Sequence, residues 1–122
     1  MKLFLMILAL VSLTLPALAD TAPVTYDCAF TTECSTAEGA CTDTPISFAL
    51  VVEGESARYE GDTYSEPMAV HRTDDGVLVA YDRAQSTLTT IGTDGTAVHS
   101  SNLILVGHVN RAAQWSGTCT AR

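Results

Sequence analysis

Apolar and polar positions alternate along most of this chain with a period of two. Val24, Tyr26, Cys28 and Phe30 interleave with Thr25, Asp27 and Ala29. Ile46, Phe48, Leu50 and Val52 interleave with Ser47, Ala49 and Val51, and Val77, Val79 and Tyr81 with Leu78, Ala80 and Asp82. Alternation of this kind sends successive side chains to opposite faces of a strand, whereas an amphipathic helix repeats every 3.6 residues. No window of eleven residues carries a helical stripe with caps. Sixteen of residues 20–122 are threonine, a β-branched residue suited to a half-solvated pleated surface.

Glycine-centred turn signals punctuate these runs: Glu53-Gly54-Glu55, Glu60-Gly61-Asp62, Asp75-Gly76, Asp94-Gly95 and Gly107-His108. Asp-Gly is among the strongest hairpin dipeptides, because glycine accepts the positive φ that such turns need. The strands predicted are 24–30, 44–53, 56–60, 67–73, 77–83, 86–92, 96–106 and 110–119. Eight short strands joined by tight turns form an all-β, eight-stranded antiparallel meander, for which a small barrel is favoured over a sandwich. Phe30, Phe48, Leu50, Val79, Leu103 and Trp115 are the expected core, filling the interior rather than leaving a ligand cavity.

The N-terminus has a different pattern. Met1-Lys2 precedes an apolar run from Leu3 to Leu15, then Pro16-Ala17-Leu18-Ala19. A charged start, a short apolar stretch and an Ala-x-Ala site are the parts of a secretory signal peptide. The run is 13 residues, short of the roughly 20 that span a bilayer, and no cysteine follows Ala19 to make a lipoprotein. Residues 1–19 are therefore read as a cleaved leader, 20–122 as one β domain, and the location as periplasmic or secreted, with no membrane span after cleavage. About 100 residues bury roughly 65% of their extended-chain surface, enough for one modest core.

Losing the leader sharpens the charge. Lys2 is the single lysine, so residues 20–122 carry five arginines against fourteen Asp and Glu, a net charge of 5 − 14 = −9. Such a surface repels nucleic acid and anionic lipid and favours a cationic protein as partner. The domain is expected to be a monomer.

Cys28, Cys34, Cys41 and Cys119 form an even set behind an export signal, so two disulfides are the default. Of three possible pairings, spacing favours Cys34 with Cys41 across a loop, leaving Cys28 for Cys119. Parity agrees: Cys28 shares a face with Tyr26 and Phe30, and Cys119 with Trp115 and Gly117. A Cys28–Cys119 bond would staple the first strand to the last and remove both exposed edges. The spacing matches neither a zinc site nor a Cys-x-x-Cys redox motif.

Candidate chemistry is sparse. His71, His99 and His108 lack the short spacing of metal ligands and read as structural or surface histidines. Ser100 follows His99 but points to the opposite face of its strand, and no nucleophile elbow is present. Acidic pairs flank turn glycines, where they stay hydrated. No catalytic residue, metal site or cofactor is assigned. Ser56, Arg58 and Tyr59, with Tyr64 nearby, make the one stretch with the Tyr-and-Arg composition of binding hot spots.

Tyr26-Asp27-Cys28, the Cys34…Cys41 loop, Thr93-Asp94-Gly95 and Gly117-Thr118-Cys119 resemble small exported alphaproteobacterial proteins of unassigned function. The Tyr26–Cys28 start and Cys119 end also resemble the membrane-bound inhibitors of c-type lysozyme, which are eight-stranded antiparallel barrels with an enzyme-facing Ser-Gly-x-x-Tyr loop. Here the nearest stretch is Ser56-Ala57-Arg58-Tyr59, which lacks the glycine and one residue of spacing, comes earlier in the strand order, and is not followed by the family's Trp motif. The expectation is a non-enzymatic exported binding module, with a lysozyme-inhibitor-like protein and an enzyme of scattered catalytic residues as the alternatives.

Overall fold

A computed structural model describes residues 22–36, 39–61, 67–82, 87–105 and 109–122. The leader, Asp62, Tyr64 and the Gly107-His108 turn lie outside them, as does the expected core side chain of Leu103. The described residues form nine strands: β1 (Val24–Ser35), β2 (Ala40–Thr42), β3 (Ile46–Glu53), β4 (Ser56–Glu60), β5 (Pro67–Arg72), β6 (Leu78–Asp82), β7 (Thr87–Ile91), β8 (Thr96–Leu105) and β9 (Val109–Ala121).

From β3 to β9 each strand pairs antiparallel with the next, β1 pairs with β3, and β9 returns to pair with β1. The eight long-range partners thus close into an antiparallel barrel, and β2 adds a ninth strand outside the ring. The turn chemistry does what the dipeptides promised: Gly54, Gly76 and Gly95 adopt φ of 60°, 89° and 86°. At the third of these turns Asp94 accepts from the backbone N–H of Thr96 and from its hydroxyl, both at 2.9 Å. Those bonds hold the exposed Asp94 carboxyl below its ordinary pKa of 3.8.

Inside sit Cys28, Phe30, Leu50, Val52, Ala57, Met68, Leu78, Ala80, Ile91, Ala97 and Cys119. Phe48 and Trp115 are partly buried against them. Val79 departs from the expected core. The register Leu78↔Ile91 and Ala80↔Thr89 puts the even-numbered residues of β6 inward, and Val79 lies on the outer face.

Both disulfides are formed. Cys28 and Cys119 are register partners on β1 and β9, buried beside the core. Cys34 and Cys41 are partners on β1 and β2, on the exposed outer side. Two disulfides point to an oxidising, non-cytoplasmic compartment.

The stretch between Cys34 and Cys41 is more ordered than the loop expected there. β1 runs on past Phe30 to Ser35, held by β9 on one edge, while β2 takes the other edge where β3 has not yet begun. A bulge makes the extension possible. The β1–β9 register slips between Phe30 and Thr32, so one extra residue reverses the parity of everything after it. Before the slip Tyr26, Cys28 and Phe30 point inward; beyond it Glu33 and Ser35 do, and Cys34 turns outward. Gly117 faces Phe30 at this place. A Cβ there would lie 2.1 Å from the carbonyl oxygen of Ala29, so only glycine lets β9 approach the bulged strand this closely.

Candidate functional site

The barrel interior is graded from apolar at one end to polar at the other. On β1 the inward residues pass from Cys28 and Phe30 to Glu33 and Ser35, and on β8 from Ala97 through His99 to Ser101. On β7 they pass from Ile91 through Thr89 to Thr87, and on β6 from Leu78 to Asp82. Register ties these positions into a belt. Ser35 faces Ala113, Ala113 faces Ser101, Ser101 faces Thr87, and Thr87 faces Asp82. The next belt inward runs Glu33, Trp115, His99, Thr89 and Ala80.

Buried polar side chains are the informative departure in any core. Here Glu33, Ser35, Asp82, Thr89, His99 and Ser101 are all buried, and all belong to these two belts.

His99 stands where the two regimes meet. Its ring lies among Phe30, Phe48, Tyr59 and Trp115, at centroid distances of 5.9, 5.2, 5.8 and 5.5 Å. Its Nδ1 shares a hydrogen bond of 2.8 Å with the Thr89 hydroxyl, which in turn is 2.8 Å from the Tyr59 hydroxyl. Desolvation in this aromatic box pushes His99 down to about 4, so it is neutral at physiological pH. Burial also raises the Tyr59 phenol above its ordinary value of 10.0, opposed by Thr89 and Thr87 and reinforced by the charge of Asp82. The middle of the barrel is therefore filled, as the sequence suggested, by aromatic rings around a neutral imidazole.

Among the described residues, two buried side-chain polar atoms have no hydrogen-bond partner. Trp115 Nε1 and Thr87 Oγ1 are buried and make no hydrogen bond. Thr87 lies close enough to the Tyr59 phenol to affect its titration but does not reach hydrogen-bonding geometry. None of Glu33, Ser35 and Asp82 is without a partner, which singles these two groups out. A buried unpaired donor costs about 1–3 kcal/mol, so its presence calls for an occupant or a role.

The structure separates the stretch 56–59. Ser56 and Arg58 are exposed on the outer face of β4, while Tyr59 turns inward to Thr89. The three do not form one protruding cluster, because neighbours on a strand alternate faces. Arg58 is paired with Glu60 at 3.0 Å, both about half exposed. Ser56 donates to the Glu53 carbonyl at 3.0 Å and serves the turn.

His71 is exposed, and His108 lies outside the described residues. Among the described residues no group of three or more His, Cys, Asp or Glu is placed to hold a metal ion, and no helix is long and apolar enough to cross a membrane.

Besides a hollow of about 250 Å³ lined by Ser56 and Arg58, two larger ones lie on the surface of the described residues. One, of about 640 Å³, sits at the apolar end beside Gly92, Gly95, Leu78 and Ile91, where Arg72 donates to the Tyr26 hydroxyl at 3.1 Å. The other, of about 440 Å³, lies between the β1–β2 hairpin and strands β8 and β9.

Sequence reading missed the polar end because Glu33 inside a barrel contradicts the pattern on which strand faces are assigned. The available signal was the polar run Thr31-Thr32-Glu33, where the apolar alternation of β1 stops although the strand does not. Searches of family models, curated proteins and solved structures found no match to this chain.

Proposed function

We propose that this chain is an exported, non-enzymatic binding module that takes a small, uncharged, hydrogen-bonding ligand at the polar end of its barrel. The observation that carries the reading is the pair of buried, unpartnered groups, Trp115 Nε1 and Thr87 Oγ1, set in belts of inward polar side chains. An indole N–H needs an acceptor, which simple ammonium cations lack. The carboxylates of Glu33 and Asp82 in the same belts disfavour an anion. A neutral molecule rich in hydroxyl oxygens meets both conditions. The leader-like N-terminus and the two paired disulfides support export.

Trp115 is the single tryptophan, so its indole N–H signal in a nitrogen–proton NMR spectrum reports this site alone. Titration with a panel of neutral mono- and disaccharides should shift that signal, with a Kd of about 1 mM or tighter for at least one of them. Thr87→Val should weaken that binding about tenfold. No shift across the panel would remove the reading.

A second reading is supported by charge. The net charge of −9 over residues 20–122 suits a strongly basic enzyme such as a c-type lysozyme, and Glu60 pairs with Arg58, the cation of the 56–59 stretch, which would otherwise repel it. The contact would be made by Ser56 and Arg58 without Tyr59. Lysozyme activity titrated with the chain at low and high salt tests this. Inhibition at micromolar protein that weakens as the Debye length falls from about 10 Å to about 3 Å is expected. Full activity at low salt would end it.

A further inference from the structure

We propose that the Cys34–Cys41 disulfide is a thiol–disulfide exchange site, and that its reduction by a dithiol releases β2 and opens the groove beneath the hairpin while the barrel stays closed. The two disulfides are built for different fates. Cys28 and Cys119 are 3% and 4% exposed and join strands that are also paired over most of their length. Cys34 and Cys41 are both exposed on the outer face, which is where a thiolate can reach a sulfur.

What the exposed bond holds is also weakly held otherwise. β2 is three residues long, all exposed, and among the described residues pairs only with β1, at Glu33↔Thr42, Cys34↔Cys41 and Ser35↔Ala40. The turn of the hairpin is anchored differently. Thr36 donates its backbone N–H to the Ala112 carbonyl at 2.9 Å, and its hydroxyl accepts from the Ala112 N–H at 3.3 Å. Gly39, with φ of 65° and no atom within 4 Å of where a Cβ would stand, donates its N–H to the Ser35 carbonyl at 3.1 Å, lies between the anchored Thr36 and β2, and supplies a hinge. Gly39, Ala40 and Cys41 line the 440 Å³ groove from the β2 side, and Cys34, Asn102 and Gln114 line it from the barrel strands. Releasing β2 therefore moves one wall and leaves the other fixed to the barrel.

The exchange balances as follows. A thiolate of the dithiol attacks one sulfur of the Cys34–Cys41 bond, and the other leaves as a thiolate and takes up a proton. The dithiol's second thiol then displaces the first cysteine, so the dithiol is oxidised to its disulfide by two electrons and Cys34 and Cys41 end as thiols.

The test uses the full chain expressed through its own N-terminal segment into an oxidising compartment. It is titrated with dithiothreitol without denaturant, alkylated with a mass label and peptide-mapped. Cys34 and Cys41 should be labelled at a reductant concentration at least about tenfold below that needed for Cys28 and Cys119, with the β-sheet circular dichroism unchanged. Amide exchange of residues 39–42 should rise about tenfold or more in the reduced form, and equally in a Cys34→Ser/Cys41→Ser variant without reductant. Labelling of all four cysteines together, or unchanged exchange at 39–42 in both the reduced chain and the variant, would overturn the proposal.

Discussion

At the scale of single residues, His99 couples the core to pH. Its folded pKa of about 4 lies below the ordinary 6.5, so the unfolded chain binds the proton more readily than the folded one. A base depressed in this way contributes full stability above pH 6.5 and loses it as pH falls toward 4. The loss across that window is about 3 kcal/mol. Urea unfolding of the chain at a series of pH values should show it, and His99→Phe, which keeps an aromatic ring in the box, should flatten that part of the curve. A wild-type curve already flat between pH 6.5 and 4 would mean that His99 is hydrated. The Thr89 hydroxyl also binds Tyr59, so the box retains one hydrogen bond when the imidazole is gone.

At the scale of elements, the bulge in β1 and the glycine opposite it act as one unit. Gly117→Ala places a methyl group against the Ala29 carbonyl and Phe30 Cα, both of them backbone that cannot rotate away. The expected cost is about 3 kcal/mol in urea unfolding, with Ser116→Ala, one residue away on the outer face, nearly neutral. From β3 to β9 strand positions are legible to within about two residues because turn glycines bracket them and alternation fills them, and β4 spans 56–60 as read; β1 runs five residues past the predicted 24–30, and β2 lies in the stretch expected as a loop. The pairing of the four cysteines was legible for a similar reason, since parity and spacing are local. The bulge was not legible, because one unpaired residue among threonines leaves no mark in composition. With it went the true facing of Glu33, Ser35 and Cys34, and hence the polar end. Composition groups Tyr59 with Arg58, while strand parity sets the two on opposite faces of β4.

At the scale of the whole molecule, the two disulfides constrain the unfolded chain unequally. Cys28 and Cys119 are separated by 91 residues and Cys34 and Cys41 by seven. Loop entropy assigns about 4–5 kcal/mol to the first and about 2–3 kcal/mol to the second. Urea unfolding of Cys28→Ala/Cys119→Ala against Cys34→Ala/Cys41→Ala should rank them in that order, and equal losses would show that the buried bond adds nothing beyond the strand pairing around it. Charge is distributed with similar economy of place. The paired ions Arg58–Glu60 and Arg122–Asp27 are exposed and add little stability.

The return of β9 to β1 also sets an order of events during synthesis. Tyr26 to Phe30 find their second neighbour only in Gly117 to Ala121, and Arg122 then closes on Thr25 and Asp27 at 2.9 and 2.8 Å. A nascent chain emerging from its N-terminus can form the hairpins from β3 onward one by one. It cannot complete the ring until its last residues are free, because contacts that close long loops come late. A polypeptide made this way stays an open sheet through most of its synthesis and becomes a sealed cylinder only when Gly117 to Ala121 arrive beside Tyr26 to Phe30.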